Sequence, residues 1–143
     1  MRGVQRAGLG PWLIHGVAGP LQAGVCVGGS PVPGPAGTTG LAFSGPNELT
    51  WAPVTGATGY DLVRGTVSTL LVGGDFTLST DACVANDIAV ATFPVSHTPA
   101  AGDADWFLVR AYNACGTGTF DDGSPSQVNP RDAGIEASPN ACP

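Results

Sequence analysis

From Gly40 onward the chain is built of short apolar or alternating runs, each broken after about ten positions by Gly, Pro or small polar residues. Alternate side chains of an extended strand point to the same face, so this pattern suits strands with one buried face. No segment keeps an apolar stripe at helical spacing. The chain is therefore expected to be all-β, an antiparallel sandwich. Leu41, Ala42 and Phe43 begin a first strand that Ser44, Gly45, Pro46 and Asn47 stop. Residues 48–52 form a second with Leu49 and Trp51 on one face, and residues 60–64 a third with Tyr60 and Leu62 facing the core. Residues 67–72 read as a fourth strand, followed by a long polar excursion through Asp75, Asp81, Cys83 and Asp87. Strand resumes over 88–95, residues 99–105 are loop, and 106–114 is the strongest strand signal in the chain. Gly116, Thr117 and Gly118 turn it back into a last strand over 119–128.

A length of 143 residues allows one domain with a real core and some extra chain. The 22 Gly and 13 Pro crowd toward the N-terminal end. Residues 1–39 are accordingly expected to be a poorly structured, Gly/Pro-rich segment, residues 40–131 the domain and residues 132–143 a tail. Arg2 and Arg6 precede an apolar stretch over 9–21, the outline of a signal peptide. Pro11, His15, Gly16, Gly19 and Pro20 interrupt it, and Leu21 places a large residue at the candidate cleavage site. Two readings stay open: a cleaved signal, or linker at the edge of a larger chain. No uninterrupted apolar stretch reaches the roughly 18 residues of a membrane helix, so no membrane association is expected.

The net charge is −6, from five basic residues, all Arg, against eleven acids. Arg64, Arg110 and Arg131 are scattered rather than clustered, which argues against nucleic acid as a partner. The absence of Lys excludes Schiff-base chemistry and a P-loop. Cys26, Cys83, Cys115 and Cys142 are even in number and lack the C-x-x-C spacing of zinc or thioredoxin-like sites. An oxidising compartment, and with it a secreted, extracellular location, is expected over the alternative of buried thiols in a cytosolic protein.

Two segments carry a family resemblance. Leu49-Thr50-Trp51 through Tyr60-Asp61-Leu62-Val63-Arg64 resembles the B-strand Trp, turn and C-strand Tyr of fibronectin type III domains. Val109-Arg110-Ala111-Tyr112-Asn113-Ala114-Cys115-Gly116 resembles their F strand and its exit. The surroundings of Cys83, Cys115 and Cys142 look like the variant found in large secreted bacterial proteins. The resemblance spans residues 40–131 and implies a seven-stranded, immunoglobulin-like β-sandwich. Phe107 falls where the family often has its corner Tyr, a departure that removes one hydrogen bond and leaves the architecture intact. The implied fold places Cys83 and Cys115 at one end of the sandwich and so predicts a disulfide between them, leaving Cys26 and Cys142 as a possible second pair. Cys83 with Cys142 is the competing pairing.

Nothing in the sequence assembles a nucleophile, a base and a group to orient it. His15 and His97 sit in no Gly-x-Ser-x-Gly or His-Glu-x-x-His motif, and His97 reads as a solvated loop residue. No enzyme activity and no cofactor are expected. Asp75, Asp81 and Asp87 are weak calcium candidates whose spacing matches no calcium loop; solvated turn acids are the usual explanation, and no metal is expected. The alternation that turns Phe107 inward sends Trp106, Leu108 and Tyr112 to the opposite face, beside Val63. That stripe is covered either by the N-terminal segment or the tail, or by a sugar, a sister domain or another chain. The chain thus reads as a non-catalytic extracellular interaction or spacer module of a larger secreted bacterial protein, its partners neighbouring domains or an extracellular protein. The alternative is a carbohydrate-binding module with Trp106 and Tyr112 as stacking platforms.

Overall fold

The computed structural model describes residues 37–143 except Ser126 and Val128. The signal-like stretch, His15 and Cys26 lie outside the described residues. The described chain forms seven strands and three short helices. The strands are β1 (Ala42–Gly45), β2 (Glu48–Thr50), β3 (Gly59–Thr66), β4 (Thr80–Ile88), β5 (Thr92–Pro94), β6 (Asp105–Asn113) and β7 (Gly116–Thr117). The helices are α1 (Val67–Gly73), α2 (Phe76–Ser79) and α3 (Asp132–Glu136). Two antiparallel sheets result, one of three strands in the order β1-β2-β5 and one of four in the order β4-β3-β6-β7.

The alternation explains how these sheets face each other. Leu49 and Trp51 from the β2 side meet Tyr60, Leu62, Val109 and Ala111 of β3 and β6 in one buried cluster, with Phe107 and Phe93 packed against it. Trp51 and Tyr60 touch edge to face at 5.5 Å. The Tyr60 hydroxyl accepts from the Val54 N–H at 2.9 Å, closing the turn that joins β2 to β3. β3 and β6 are in unbroken register from Gly59 opposite Tyr112 to Thr66 opposite Asp105, so one face of this pair is committed to the inter-sheet core from Tyr60 opposite Ala111 to Leu62 opposite Val109, with Phe107 packed beside it.

The opposite face of the same pair is also buried. Val63, Phe120, Ile135 and Cys142 form a second cluster, with Trp106, Leu108, Phe76 and Cys83 against it. Helix α3 is too short to persist alone, since a helix of a few residues cannot offset its nucleation cost. Ile135 is 1% exposed, and its burial contributes about 2 kcal/mol toward holding the segment on the sheet. Residues 132–143 are thus a third layer over the four-stranded sheet.

Several elements depart from the sequence reading. Residues 67–72, expected as a strand, are helix α1. Asp103 accepts from the Ser68 backbone N–H at 3.1 Å and from its hydroxyl, satisfying a first-turn donor. Gly74 closes the other end in the left-handed region at φ 62°, its N–H donating to Leu70 O. β3 already has β4 and β6 as neighbours. These end contacts override the β-branched character of Val67, Thr69 and Val72.

The polar excursion is not a loop: after α2 it becomes β4, an edge strand on which acids are tolerated. Strand over 88–95 shrinks to β5, because Ile88 belongs to the end of β4. The last strand, expected over 119–128, does not form among the described residues there; the two-residue β7 lies instead at Gly116–Thr117, residues expected to be the turn. Beyond it, side chains take the backbone donors: Asp132 accepts from Phe120 N at 2.7 Å and Asp121 from Arg131 N at 2.8 Å. Such side-chain bonds compete directly with a sheet ladder.

Candidate functional site

The expected outer-face stripe is largely covered: Val63 is buried, and Trp106, Leu108 and Tyr112 are partly buried. Trp106 stacks edge to face on Phe76 at 5.3 Å, and Val63 is fully buried beneath the C-terminal layer. Leu108 packs against the same cluster. Tyr112 lies over Gly59, where an added Cβ would stand 2.4 Å from its ring. Its hydroxyl bonds to the Asp87 carboxylate, and burial, followed by that carboxylate, pushes its pKa above the ordinary tyrosine value. As a binding surface, Val63, Trp106 and Leu108 are corrected to structural residues. The tail, one of the covers expected from the sequence, supplies Ile135 and Cys142 to this face, together with Phe76 and Phe120.

The same layer buries charge. Arg110 faces Asp61 across the β3–β6 ladder. Its Nε donates to Asp61 Oδ2 at 3.0 Å, with both side chains less than a tenth exposed. Arg110 also donates to Glu136 of α3 at 3.2 Å and lies 4.9 Å over the Phe120 ring. The second Asp61 oxygen accepts from the Asp87 N–H at 3.2 Å. A buried Arg whose charge and donors are met this way fixes the position of whatever carries Glu136 and Phe120.

The cysteine pairing is also corrected. Cys83 is bonded to Cys142, with Cα atoms 4.8 Å apart, and not to Cys115. The physical reason is strand order. Cys83 lies on β4, whereas Cys115 lies at the turn into β7 on the opposite edge of the sheet. Three inter-strand steps put those edges about 14 Å apart, beyond the reach of a disulfide. Cys115 is itself disulfide-bonded.

The three Asp calcium candidates are not brought together. Asp75 caps α2, accepting from the Thr77 N–H at 2.7 Å. Asp81 accepts from the Thr66 hydroxyl, and Asp87 from Asn86 Nδ2 at 3.0 Å. Among the described residues no three metal-ligating side chains converge.

Two features went unnoticed in the sequence. The first is the α1–α2 excursion. Leu71 is 78%, Val72 91% and Leu78 72% exposed, and Val72 and Leu78 line one shallow hollow. The backbone beneath them is fixed by Asp103, Gly74 and the Phe76–Trp106 stack. The second is a cleft at the mouth between the sheets, lined by Arg64, Val84, Phe93, Val95, His97 and Phe107, with a volume of about 370 Å³. His97, expected to be solvated, is half-exposed and hydrogen-bonded through Nδ1 to Asp105 at 2.7 Å. Arg64 continues the inward phase of Tyr60 and Leu62, which was the signal available in the sequence. No family model, curated protein or solved structure matches this chain.

Proposed function

We propose that this chain is a fibronectin type III-like β-sandwich acting as a non-catalytic interaction module of a larger secreted bacterial protein. The strand order supports the sandwich reading. β3, β6 and β7 adjoin while β2 and β5 lie in the other sheet, as C, F and G stand to B and E in immunoglobulin-like domains. β4 runs beside β3, the place of a C′ strand. The disulfide Cys83–Cys142 and the bonded Cys115 support an oxidising location.

The observation that carries the interaction reading is the exposure of Leu71, Val72 and Leu78 on a fixed backbone. Exposed apolar side chains on neighbouring helices, Val72 and Leu78 of them lining one hollow, favour a protein partner. Trp106, one of the two platforms of the carbohydrate reading, packs against Phe76 and the C-terminal layer, which favours a protein partner over a sugar. Cross-linking of the full chain to extracellular proteins, alongside a glycan array, tests the proposal. Protein adducts that vanish in a Leu71→Ser, Val72→Ser, Leu78→Ser variant with unchanged near-UV circular dichroism are expected, together with a blank array. Adducts indifferent to the variant, or specific glycan binding, would overturn it.

A further inference from the structure

We propose that the cleft at the mouth between the two sheets binds a small organic acid, its carboxylate on Arg64 and its apolar body against Phe93, Val95 and Phe107. The cleft shares no lining residue with the α1–α2 hollow.

Arg64 is the residue that calls for a ligand. It stands opposite Phe107 in the β3–β6 register, on the face that Tyr60 and Leu62 commit to the core. An arginine is always charged, and a charge placed at the rim of an apolar layer is costly without a counter-charge. The other described arginines have one: Arg110 pairs with Asp61 and Glu136, and Arg131 with Asp122. Arg64 Nε is buried with no hydrogen-bond acceptor, and no ion pair involves Arg64 among the described residues. The chain has eleven acids, so this cation stands unpaired in a molecule with carboxylates in excess. Asp105, the acid beside the cleft, is engaged by His97.

The walls define the rest of the ligand. Phe93, Val95 and Phe107 offer an apolar surface, and a volume of about 370 Å³ lies at the small end of ligand pockets. A second hollow shares Val95, His97 and Phe107 and extends the apolar surface to Phe43, which meets Phe107 edge to face at 6.0 Å. The planar guanidinium fork matches a carboxylate. A compact acid with one aromatic or branched aliphatic group satisfies both ends.

The test is an NMR titration of the full chain with 3-phenylpropionate and, separately, its neutral analogue 3-phenylpropionamide. The acid is expected to shift the amides of Arg64, Phe93 and Phe107 with a Kd on the order of 1 mM, the range open to so small a ligand. The amide should bind at least about tenfold more weakly, since it lacks the charge. Arg64→Met, which keeps the side-chain stem, should abolish the preference for the acid, and Arg64→Lys should retain part of it. If Arg64→Met fails to fold, the acid and amide on the unmodified chain still decide. Equal binding of the two, an unchanged preference in folded Arg64→Met, or no shift with acid at tens of millimolar would overturn the proposal.

Discussion

Arg110 and Asp61 face each other across the β3–β6 ladder with Nε and Oδ2 3.0 Å apart, and the C-terminal layer closes over them. The pair connects the middle of the sheet to the end of the chain, because Arg110 also reaches Glu136 and stacks on Phe120. The parts of this network differ greatly in weight. Glu136 is 59% exposed, so solvent screens its bond to a few tenths of a kcal/mol. The desolvated Asp61–Arg110 contact decides the stability of this face.

Arg110→Met should therefore destabilise the chain by about 3 kcal/mol or more, because it strands the Asp61 carboxylate in an apolar layer. Adding Asp61→Leu to Arg110→Met should recover much of that loss, while Glu136→Gln alone should cost under about 0.5 kcal/mol. Urea denaturation of the four proteins checks the order. A double variant no better than Arg110→Met would show that the geometry of the pair, and not the stranded charge, sets the cost.

The disulfide makes a separate prediction. Cys83 and Cys142 are 59 residues apart, a loop whose closure stabilises the fold by about 4 kcal/mol in the chain-entropy treatment. Replacing both by Ser should lower stability by about that amount. It should also loosen the third layer first, because Ile135 and α3 then depend on burial and on the hydrogen bonds of Asp132 and Glu136, with no covalent tie to the sheet. Amide exchange at residues 132–143 should accelerate more than at β3 and β6, and Trp106 fluorescence should shift to the red.

The register that these variants probe was legible in the sequence where pattern and burial agree. Leu49, Trp51, Tyr60, Leu62, Val109 and Ala111 alternate cleanly and do meet in one core. The reading failed where distant contacts govern local structure. Asp103 and Gly74 make residues 67–72 helical, and pairing with β3 makes strand of an Asp- and Asn-rich stretch. The cover over Trp106 and Leu108 was expected in part, since Ile135 belongs to the tail, but Phe76 and Phe120 join it through contacts that no local period encodes. Cys83 was misassigned for the same reason: its partner follows from strand order, which the sequence leaves open.

Close packing at one glycine offers a sharper probe of that cover. A Cβ on Gly65 would fall 1.9 Å from Ser79 O and 2.2 Å from the Trp106 ring, and neither can retreat without moving backbone or the second core. Gly65→Ala should cost about 3 kcal/mol, at the upper end of overpacking effects. Gly45→Ala is the control, since nothing lies within 4 Å of the added methyl. It should change stability by less than about 1 kcal/mol, and thermal denaturation distinguishes the two.

The anchoring of α1 should leave a mark in the acid range. The Asp103 carboxyl is held below the ordinary aspartate value, chiefly by the Ser68 hydroxyl and then by the Ala104 N–H, while slight burial opposes them. A depressed folded pKa means that the ionised form is the one the fold favours. Its contribution is fully present above about pH 5, where Asp103 is ionised whether the chain is folded or not, and is lost as pH falls through the lower folded value. Ser68→Ala removes the largest cause, so the Asp103 midpoint should rise toward the ordinary value and the acid limb of the stability curve should become shallower. Carbon-detected NMR titration of the side-chain carboxyls reads this directly. Asp122, held low by Ser124 instead, should titrate unchanged in the same variant. If both carboxyls moved together, the variant would be acting through a general loosening of the fold rather than through the Ser68–Asp103 bond.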